Sequence, residues 1–425
     1  MRILTTSLCY PTPQHFEQGL FIQRRAAALA NRGGSDVQVV SPQPWCPGLR
    51  RCPLVSDAAW PLPATYPRMI SIPVLNWATD GVAFGKAIAR HIMRHGGPSS
   101  IDLIDAHFVY PDGVGAWLAG RRLGIPVVVT VRGKIVSLSR RAIRRMQIAR
   151  MLRGVDARIA VSRSLAGWVR RIGGDDLDVD VIPNGVEPGV FYPMDRRQAR
   201  TELGWDADAR YLLAVGHLQR IKGFDRIVGV MPEVRAHLGD VRLVLAGSHR
   251  GEWWFRQRLR RLIGTCGGEP AVTFVGTAAA DRLNLMYNAA DLFVNASRSE
   301  GWSNAIAEAL AAGTPVVATD VGGNAEQICS AQLGRVVRDA DDHALAGAIV
   351  EALGADWNRV LIAAHGGARG WGEVAREVQA VFDRVVQARH AAAAHRPVRL
   401  FGIDLRAEDV AVATGPRPAS LEVSR

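Results

Sequence analysis

Two glutamates eight positions apart enclose the segment Glu300-Gly-Trp-Ser-Asn-Ala-Ile-Ala-Glu308, whose residue types and placement suit the binding of a phosphorylated sugar. The segment follows an apolar run at Leu292–Asn295 and a polar turn at Ser297–Gly301. Ser303 or Asn304 caps a helix running through Leu310, with Gly313 as its stop and Pro315 beyond. The first free backbone N–H groups, from Ser303 through Asn304 and Ala305 to Ile306, then point into a crevice, where the positive helix end favours a diphosphate. Glu308 lies one turn further along that face, about 5–6 Å away, where a carboxylate accepts hydrogen bonds from a ribose. Glu300, in the loop with Gly301 and Trp302, is placed to take hydroxyls of whatever the diphosphate carries.

A second candidate is the loop Gly216–Gly223, after the apolar run Tyr211–Val215. Its glycines let backbone approach a phosphate. Lys222 can set a compact positive charge on a diphosphate leaving group. Lysine is rare here: Lys86, Lys134 and Lys222 are the only three in a chain whose other cations are arginines. His107 and Asp112 follow the strand pattern Leu103–Ala106 and are candidates for the acceptor side of the cleft. The acidic pairs Asp206/Asp208 and Asp178/Asp180 lack a neighbouring His or Cys cluster, so no metal site is expected.

These residues need elements that carry them. Residues 1–185 alternate short apolar strands with helical patterns, and the run Pro126–Val131 is apolar on both faces, as in a buried parallel strand. Strands are expected at Arg2–Leu8, Val37–Ser41, Met69–Ile72, Leu103–Ala106, Pro126–Val131, Ala157–Ser162 and Val179–Ile182, with helices at Phe21–Asn31, Gly81–His95, Gly113–Leu123 and Arg140–Leu152. A second series runs from Tyr211–Val215 to Arg335–Val337, with helices that include Phe224–Leu238, Glu252–Ile263 and Asn304–Ala312. The fold class is therefore α/β, with two doubly wound domains, 1–185 and 186–387, joined near 183–195. A last helix at 371–387 is expected to return to the first domain, and 388–425 to be a disordered tail. The Pro-rich segment Ser41–Pro73, with Trp45, Trp60 and Tyr66, reads as a long binding loop or a stapled surface excursion.

Composition narrows the class. No apolar stretch reaches the roughly 20 residues that span a bilayer, and the five cysteines are scattered without a Cys-x-x-Cys pair. A reducing, cytoplasmic setting is expected. The net charge of +12 is one-sided: residues 1–185 hold 24 Lys and Arg against 12 Asp and Glu, whereas the remainder is balanced at 28 and 28. Such a field attracts nucleic acid, anionic lipid or an anionic substrate. The segment 140–153 clusters arginines with Ile143, Met146, Ala149 and Leu152 at helical spacing. It suits either an interfacial helix on anionic lipid or an ordinary amphipathic helix on its own sheet.

The stretch Ser299–Gly323, which reads Ser-Glu-Gly-Trp-Ser-Asn-Ala-Ile-Ala-Glu-Ala-Leu-Ala-Ala-Gly-Thr-Pro-Val-Val-Ala-Thr-Asp-Val-Gly-Gly, closely resembles the signature of the family 4, group 1 retaining glycosyltransferases. The likeness extends from Arg2 to about Val386 and includes Ala106–Gly113, Thr130–Gly133, Val181–Val186 and Val215–Asp225. It implies the GT-B fold, in which two Rossmann-like domains face each other across a donor cleft. It also implies a nucleotide-sugar donor, a saccharide or lipid-linked acceptor, a role in bacterial surface polysaccharide synthesis, retention, and no metal or other cofactor. Glu300 would bind the donor sugar, Glu308 the ribose, and Gly19 would lie in the loop nearest donor and acceptor.

The chain departs from that pattern twice. Many members carry Arg directly after the glycine of the second loop, where this chain has His217. The common Thr-x-His-Gly here reads Thr130-Val-Arg132-Gly133. An exchange of charge roles between Arg132 and His217 across the cleft is the expectation, keeping a cation near the diphosphate. Alternatives are a sugar-nucleotide epimerase of GT-B architecture and a degenerate, binding-only member. A dehydrogenase would need a Gly-x-Gly-x-x-Gly turn after Arg2–Leu8 or Tyr211–Val215, and neither run is followed by one. Nucleic-acid binding would account for the charge but not for Glu300–Glu308.

Overall fold

Runs of valine and leucine buried on both faces build two sheets, as parallel strands covered by helices require. The computed structural model describes residues 1–12, 15, 18–46, 48, 62–248, 253–265, 271–338, 341–394, 398–400 and 403–405. In the first half the strands are β1 (Arg2–Thr6), β2 (Asp36–Val40), β3 (Gln43–Trp45), β4 (Ala64–Thr65), β5 (Arg68–Ile70), β6 (Leu103–His107), β7 (Val127–Val131), β8 (Ala157–Ala160) and β9 (Asp180–Val181). Seven of these form one sheet in the order β4-β2-β1-β6-β7-β8-β9, and β3 pairs with β5 alone. The second half contributes β10 (Arg210–Val215), β11 (Val241–Ala246), β12 (Val272–Gly276), β13 (Leu292–Asn295), β14 (Val316–Thr319) and β15 (Gly334–Val337), ordered β12-β11-β10-β13-β14-β15. Both sheets are parallel and doubly wound, and the strand order reverses between β1 and β6 and between β10 and β13. Ligands of such sheets bind at those reversals, beyond the strand carboxyl ends. A hairpin, β16 (Val398–Leu400) with β17 (Ile403–Leu405), follows.

Helices cover both faces. Around the first sheet lie α1 (Leu20–Asn31), α2 (Asn76–Arg94), α3 (Val114–Leu123), α4 (Ile135–Leu138), α5 (Ala142–Gly154) and α6 (Arg163–Gly173). Around the second lie α7 (Arg196–Leu203), α8 (Phe224–Leu238), α9 (Trp253–Thr265), α10 (Ala280–Ala289), α11 (Asn304–Ala311), α12 (Asn324–Gln327), α13 (Asp342–Gly354) and α14 (Arg359–Gly367). The last helix, α15 (Trp371–Ala394), buries Trp371, Val374, Val378 and Phe382 against Ile3, Ile22 and Leu29 of the first domain. Near the crossover Val186 bridges Gly370, and Arg369 donates to Pro183 O, so the two chain crossings between domains run side by side.

Several expectations shift. The strand anticipated at Met69–Ile72 pairs with β3 instead of entering the main sheet, and Ile70 and Ile72 are exposed. Helix α2 begins at Asn76, five residues before Gly81. Helix α6 lies outside the expected helices, although Ser162 caps it and Leu165, Ala166, Val169 and Ile172 form its buried stripe. Helical structure continues to Ala394, through the start of the segment expected to be disordered. Trp60, Glu252 and residues 406–425 lie outside the described residues.

Helices α2 and α3 approach so closely that a Cβ on Gly85 would meet the carbonyl oxygen of Gly115 at 2.6 Å. Backbone cannot retreat as a flexible side chain would. Gly85→Val should therefore destabilise the protein by about 2–3 kcal/mol, read as a lower denaturation midpoint in urea; an unchanged midpoint would show that the helices separate freely.

Candidate active site

The loop after β10 and the loop after β13 flank the reversal of the second sheet and are tied together. Arg298 N donates to Ile221 O at 2.8 Å, and the Arg298 guanidinium binds Asp225 through both Nη atoms at 2.8 and 3.0 Å. Thr319 at the end of β14 holds the same loop through Ser297 O. This frame sets Lys222 Nζ 2.5 Å from Glu300 Oε1, which also accepts from Ser297 Oγ at 2.9 Å. Half-buried His217 lies in the loop that carries Lys222.

Helix α11 begins beside that pair. Asn295 Nδ2 donates to Ser303 Oγ at 3.0 Å, and Gln327, with its amide turned to satisfy both groups, donates to Ser303 O and accepts from Ser303 N. Ser303 N–H is thus taken, contrary to the expectation that it opens onto the crevice. The first N–H bonded within the helix is that of Ala307, to Ser303 O, so the N–H groups of Asn304, Ala305 and Ile306 precede the ladder. One turn on, Glu308 accepts from Tyr287 Oη at 3.0 Å, and Arg24 Nη1 of the first domain stands 3.9 Å away. Burial pushes the Glu308 carboxyl up to about 7, opposed by the charge of Arg24.

The first domain meets this site through backbone. A Cβ on Gly133 would stand 3.1 Å from Gly301 N, so the turn after β7 and the loop after β13 touch main chain to main chain. Trp302 packs against the first domain's core, and Glu326 accepts from the N–H groups of Arg163 and Ser164 at the start of α6. Gly19, at φ 73°, caps α1, where a Cβ would run into Cys9 O. Its requirement is a tight turn over the loop after β1.

The expected acceptor-side residues are elsewhere. His107 is completely buried and bonds Asp105 and Arg132 beneath the cleft. Burial and the Arg25 charge hold its imidazole at about 3, so it stays neutral. Burial opposes ionisation of Asp105 too, but Arg25 and His107 keep it a carboxylate, below the usual range. Asp112 is likewise buried and accepts from Leu8 N at 2.6 Å, anchoring the loop after β1. With His107 fully buried and Asp112 2% exposed, both bond within the scaffold of the first domain. Arg132, expected to stand as a cation opposite His217, is buried over the Phe21 ring and donates to His107 Nδ1 and Asn184 Oδ1. Asn184 Nδ2 in turn donates to Asn304 Oδ1 at 2.9 Å.

Sequence reasoning did not single out Arg24, Arg25, Asn184 or Tyr287. Asn184 had a signal, its place between Pro183 and Gly185 at the domain junction. The others sit on ordinary helix faces. Among the described residues no group of three or more His, Cys, Asp or Glu is placed to hold a metal ion. None of the described helices is long and apolar enough to cross a membrane.

Burial pushes the Asp112 carboxyl up to about 7, offset partly by the Leu8 N–H and the Ser7 hydroxyl. A raised carboxyl contributes stability that is fully present below its unfolded value, near 3.9, and lost as pH rises through 7. Asp112→Asn keeps an acceptor for Leu8 but cannot ionise. The stability of wild type relative to this variant should fall between pH 5 and 8 in thermal melts; a constant difference would mean that Asp112 titrates in the ordinary range.

Comparison with known proteins identifies the architecture. The family described as "Glycosyl transferases group 1" matches residues 195–359, and "Glycosyltransferase Family 4" matches residues 18–190. A D-inositol 3-phosphate glycosyltransferase from Acidothermus cellulolyticus is 30% identical over 334 residues, 74% of each chain. Among solved structures, sucrose-phosphate synthase from Thermosynechococcus elongatus superposes with a TM-score of 0.70 at 23% identity, covering 92% of this chain and 98% of that one. Anabaena Alr3699/HepE in complex with UDP-glucose gives 0.65 at 18% identity, covering 92% and 100%. At these identities the structural likeness is one of fold. With both halves matched and the glutamate pair at the crevice, the chain belongs to the family 4, group 1 glycosyltransferases and has the GT-B fold.

Proposed function

We propose that this protein transfers a hexose-type sugar from a nucleoside diphosphate to an acceptor hydroxyl, with retention of anomeric configuration. The observation that carries the reading is the Lys222–Glu300 pair at the start of α11, with Glu308 one turn beyond. Lys222 and the N–H groups of Asn304–Ile306 suit the two phosphates, where negative charge grows as the glycosidic bond breaks. Glu300 takes sugar hydroxyls and Glu308 the ribose. The neighbour named above in complex with UDP-glucose supports a nucleotide-sugar donor. Family membership supports retention. No side-chain nucleophile is assigned, so the acceptor attacks from the face that the diphosphate leaves. No metal or other cofactor is invoked.

The acceptor is a saccharide or a lipid-linked saccharide of the cell surface, met at the inner face of the membrane. The support is the basic surface of α5. Its inward face is Ile148, Met151 and Leu152, while Ile143 and Met146 are 45% and 46% exposed among Arg141, Arg145 and Arg150. An apolar pair ringed by guanidinium groups suits an anionic interface. Sedimentation with phosphatidylglycerol vesicles should carry down wild type and release Ile143→Ser/Met146→Ser; equal sedimentation of both would remove α5 from the contact.

A thermal-shift panel of UDP-, GDP- and ADP-sugars identifies the donor, because a ligand that binds the native state raises Tm. Transfer is then measured with saccharide acceptors and with D-inositol 3-phosphate, and the product anomer read by NMR. Lys222→Ala should lower kcat about 100-fold, and an inverted anomer would refute retention. Burial brings the Glu308 carboxyl up to about 7, so its ionised fraction grows from pH 6 to 8, and the ionised form is the full acceptor for ribose hydroxyls. Donor affinity should therefore rise from pH 6 to 8 in wild type and stay flat in Glu308→Gln; parallel pH profiles would sink the ribose assignment.

A further inference from the structure

We propose that Asn184, oriented by Arg132, is a positioning residue that turns the Asn304 amide so that its NH2 group faces the cleft as a hydrogen-bond donor to the donor diphosphate. This rests on the nucleotide-sugar reading above.

The direction of each bond follows from one fact. A guanidinium only donates. The Asn184 atom 2.8 Å from Arg132 Nη1 must therefore be the carbonyl Oδ1, which leaves Nδ2 for the opposite side. Nδ2 lies 2.9 Å from the Asn304 side chain, and since it donates, the atom it meets there is Oδ1. The Asn304 NH2 group is then turned away from Asn184. Among the described residues Asn304 makes no other side-chain hydrogen bond, and it is half-buried at the first position of α11. Its NH2 adds a side-chain donor beside the free backbone N–H groups.

Arg132 is itself held from behind. Its Nε donates to His107 Nδ1 at 3.1 Å, so that nitrogen accepts, while His107 Nε2 lies 2.8 Å from Arg25 Nη2 and 3.2 Å from Asp105 Oδ2. Asp105 is gripped by Arg25, whose Nη1 also reaches Thr130 Oγ1 at 2.8 Å. The guanidinium is thereby held at both ends, with Nε on His107 and Nη1 on the crossover asparagine. A neutral histidine at position 132 would offer Asn184 a donor or an acceptor according to tautomer. Arginine removes the choice, which gives the departure at position 132 a purpose in this chain.

The test is calorimetric titration of UDP, GDP and ADP, each against its own nucleoside, into wild type, Asn184→Asp and Asn304→Asp. In Asn184→Asp the new carboxylate still accepts from Arg132 but cannot donate, so Asn304 turns its NH2 toward that carboxylate and its oxygen toward the phosphates. In Asn304→Asp the carboxylate still accepts from Asn184 but presents oxygen where the NH2 was. Both variants should lose about tenfold or more in diphosphate affinity, the size of one lost charge-assisted bond, while nucleoside affinity stays within about twofold. An unchanged diphosphate-to-nucleoside ratio in Asn184→Asp overturns the proposal, as does an equal loss of both ligands, the mark of a merely structural role. Should Asn184→Asp fail to fold by circular dichroism, Asn304→Asp decides alone by the same ratio. If wild type binds none of the three diphosphates, the nucleotide-sugar reading itself is wrong, an outcome distinct from failure of the relay.

Discussion

Two guanidinium groups, Arg25 and Arg132, are buried at the carboxyl edge of the first sheet around a single carboxylate, Asp105. Buried charge is tolerated only where every group finds a partner, and that demand organises the surroundings. Asp105 takes Arg25. His107 stays neutral between the two cations and lends Arg132 an acceptor. Arg132 is lowered by burial and by Arg25, yet a guanidinium starts high enough to remain charged. Its remaining need is met outside the domain, at Asn184 in the crossover, and through Asn184 at the first residue of α11. A charge-satisfaction problem in one domain is thereby answered at the start of the helix that faces the cleft from the other.

Apart from Trp302, which packs on the first domain's core, the cleft contacts described above are polar or main chain. Gly133 meets Gly301, Glu326 caps α6, and Arg24 approaches Glu308. Contacts of this kind add little net free energy each, whereas the seat of α15 on the first domain is apolar and extensive. Helix α15 is anchored on the first domain by that apolar seat. Interfaces between domains of this polarity favour relative motion.

Much of the fold was legible because parallel sheets announce themselves. Val127–Val131, Val241–Ala246 and Leu292–Asn295 are largely apolar and buried, and lie as strands within the expected runs. Local signals failed where pairing, not propensity, decides. The apolar run at Met69–Ile72 satisfies its backbone against Gln43–Trp45 instead of the main sheet, and nothing in its composition distinguishes the two partners. His107 ends β6 and Asp112 follows it, which is the position of a ligand contact in this architecture. Their burial follows from long-range contacts with Arg132 and Leu8 that a local pattern does not contain.

Taken alone, the sequence determined the helix start at Asn304, the spacing of Glu300 and Glu308, and the glycine-flanked lysine loop. Capping, helical pitch and turn chemistry act within a few residues. The tertiary structure decided which groups those residues answer to. Lys222 and Glu300 meet because two loops from adjacent strands are stapled by Arg298, and Arg132 reaches Asn184 because the crossover passes its side chain. Hydrogen-bond partners distant in sequence are chosen by the packing of sheets and helices. The direction of the hydrogen bonds from Arg132 to Asn304 is set by the donor at their head, which cannot accept.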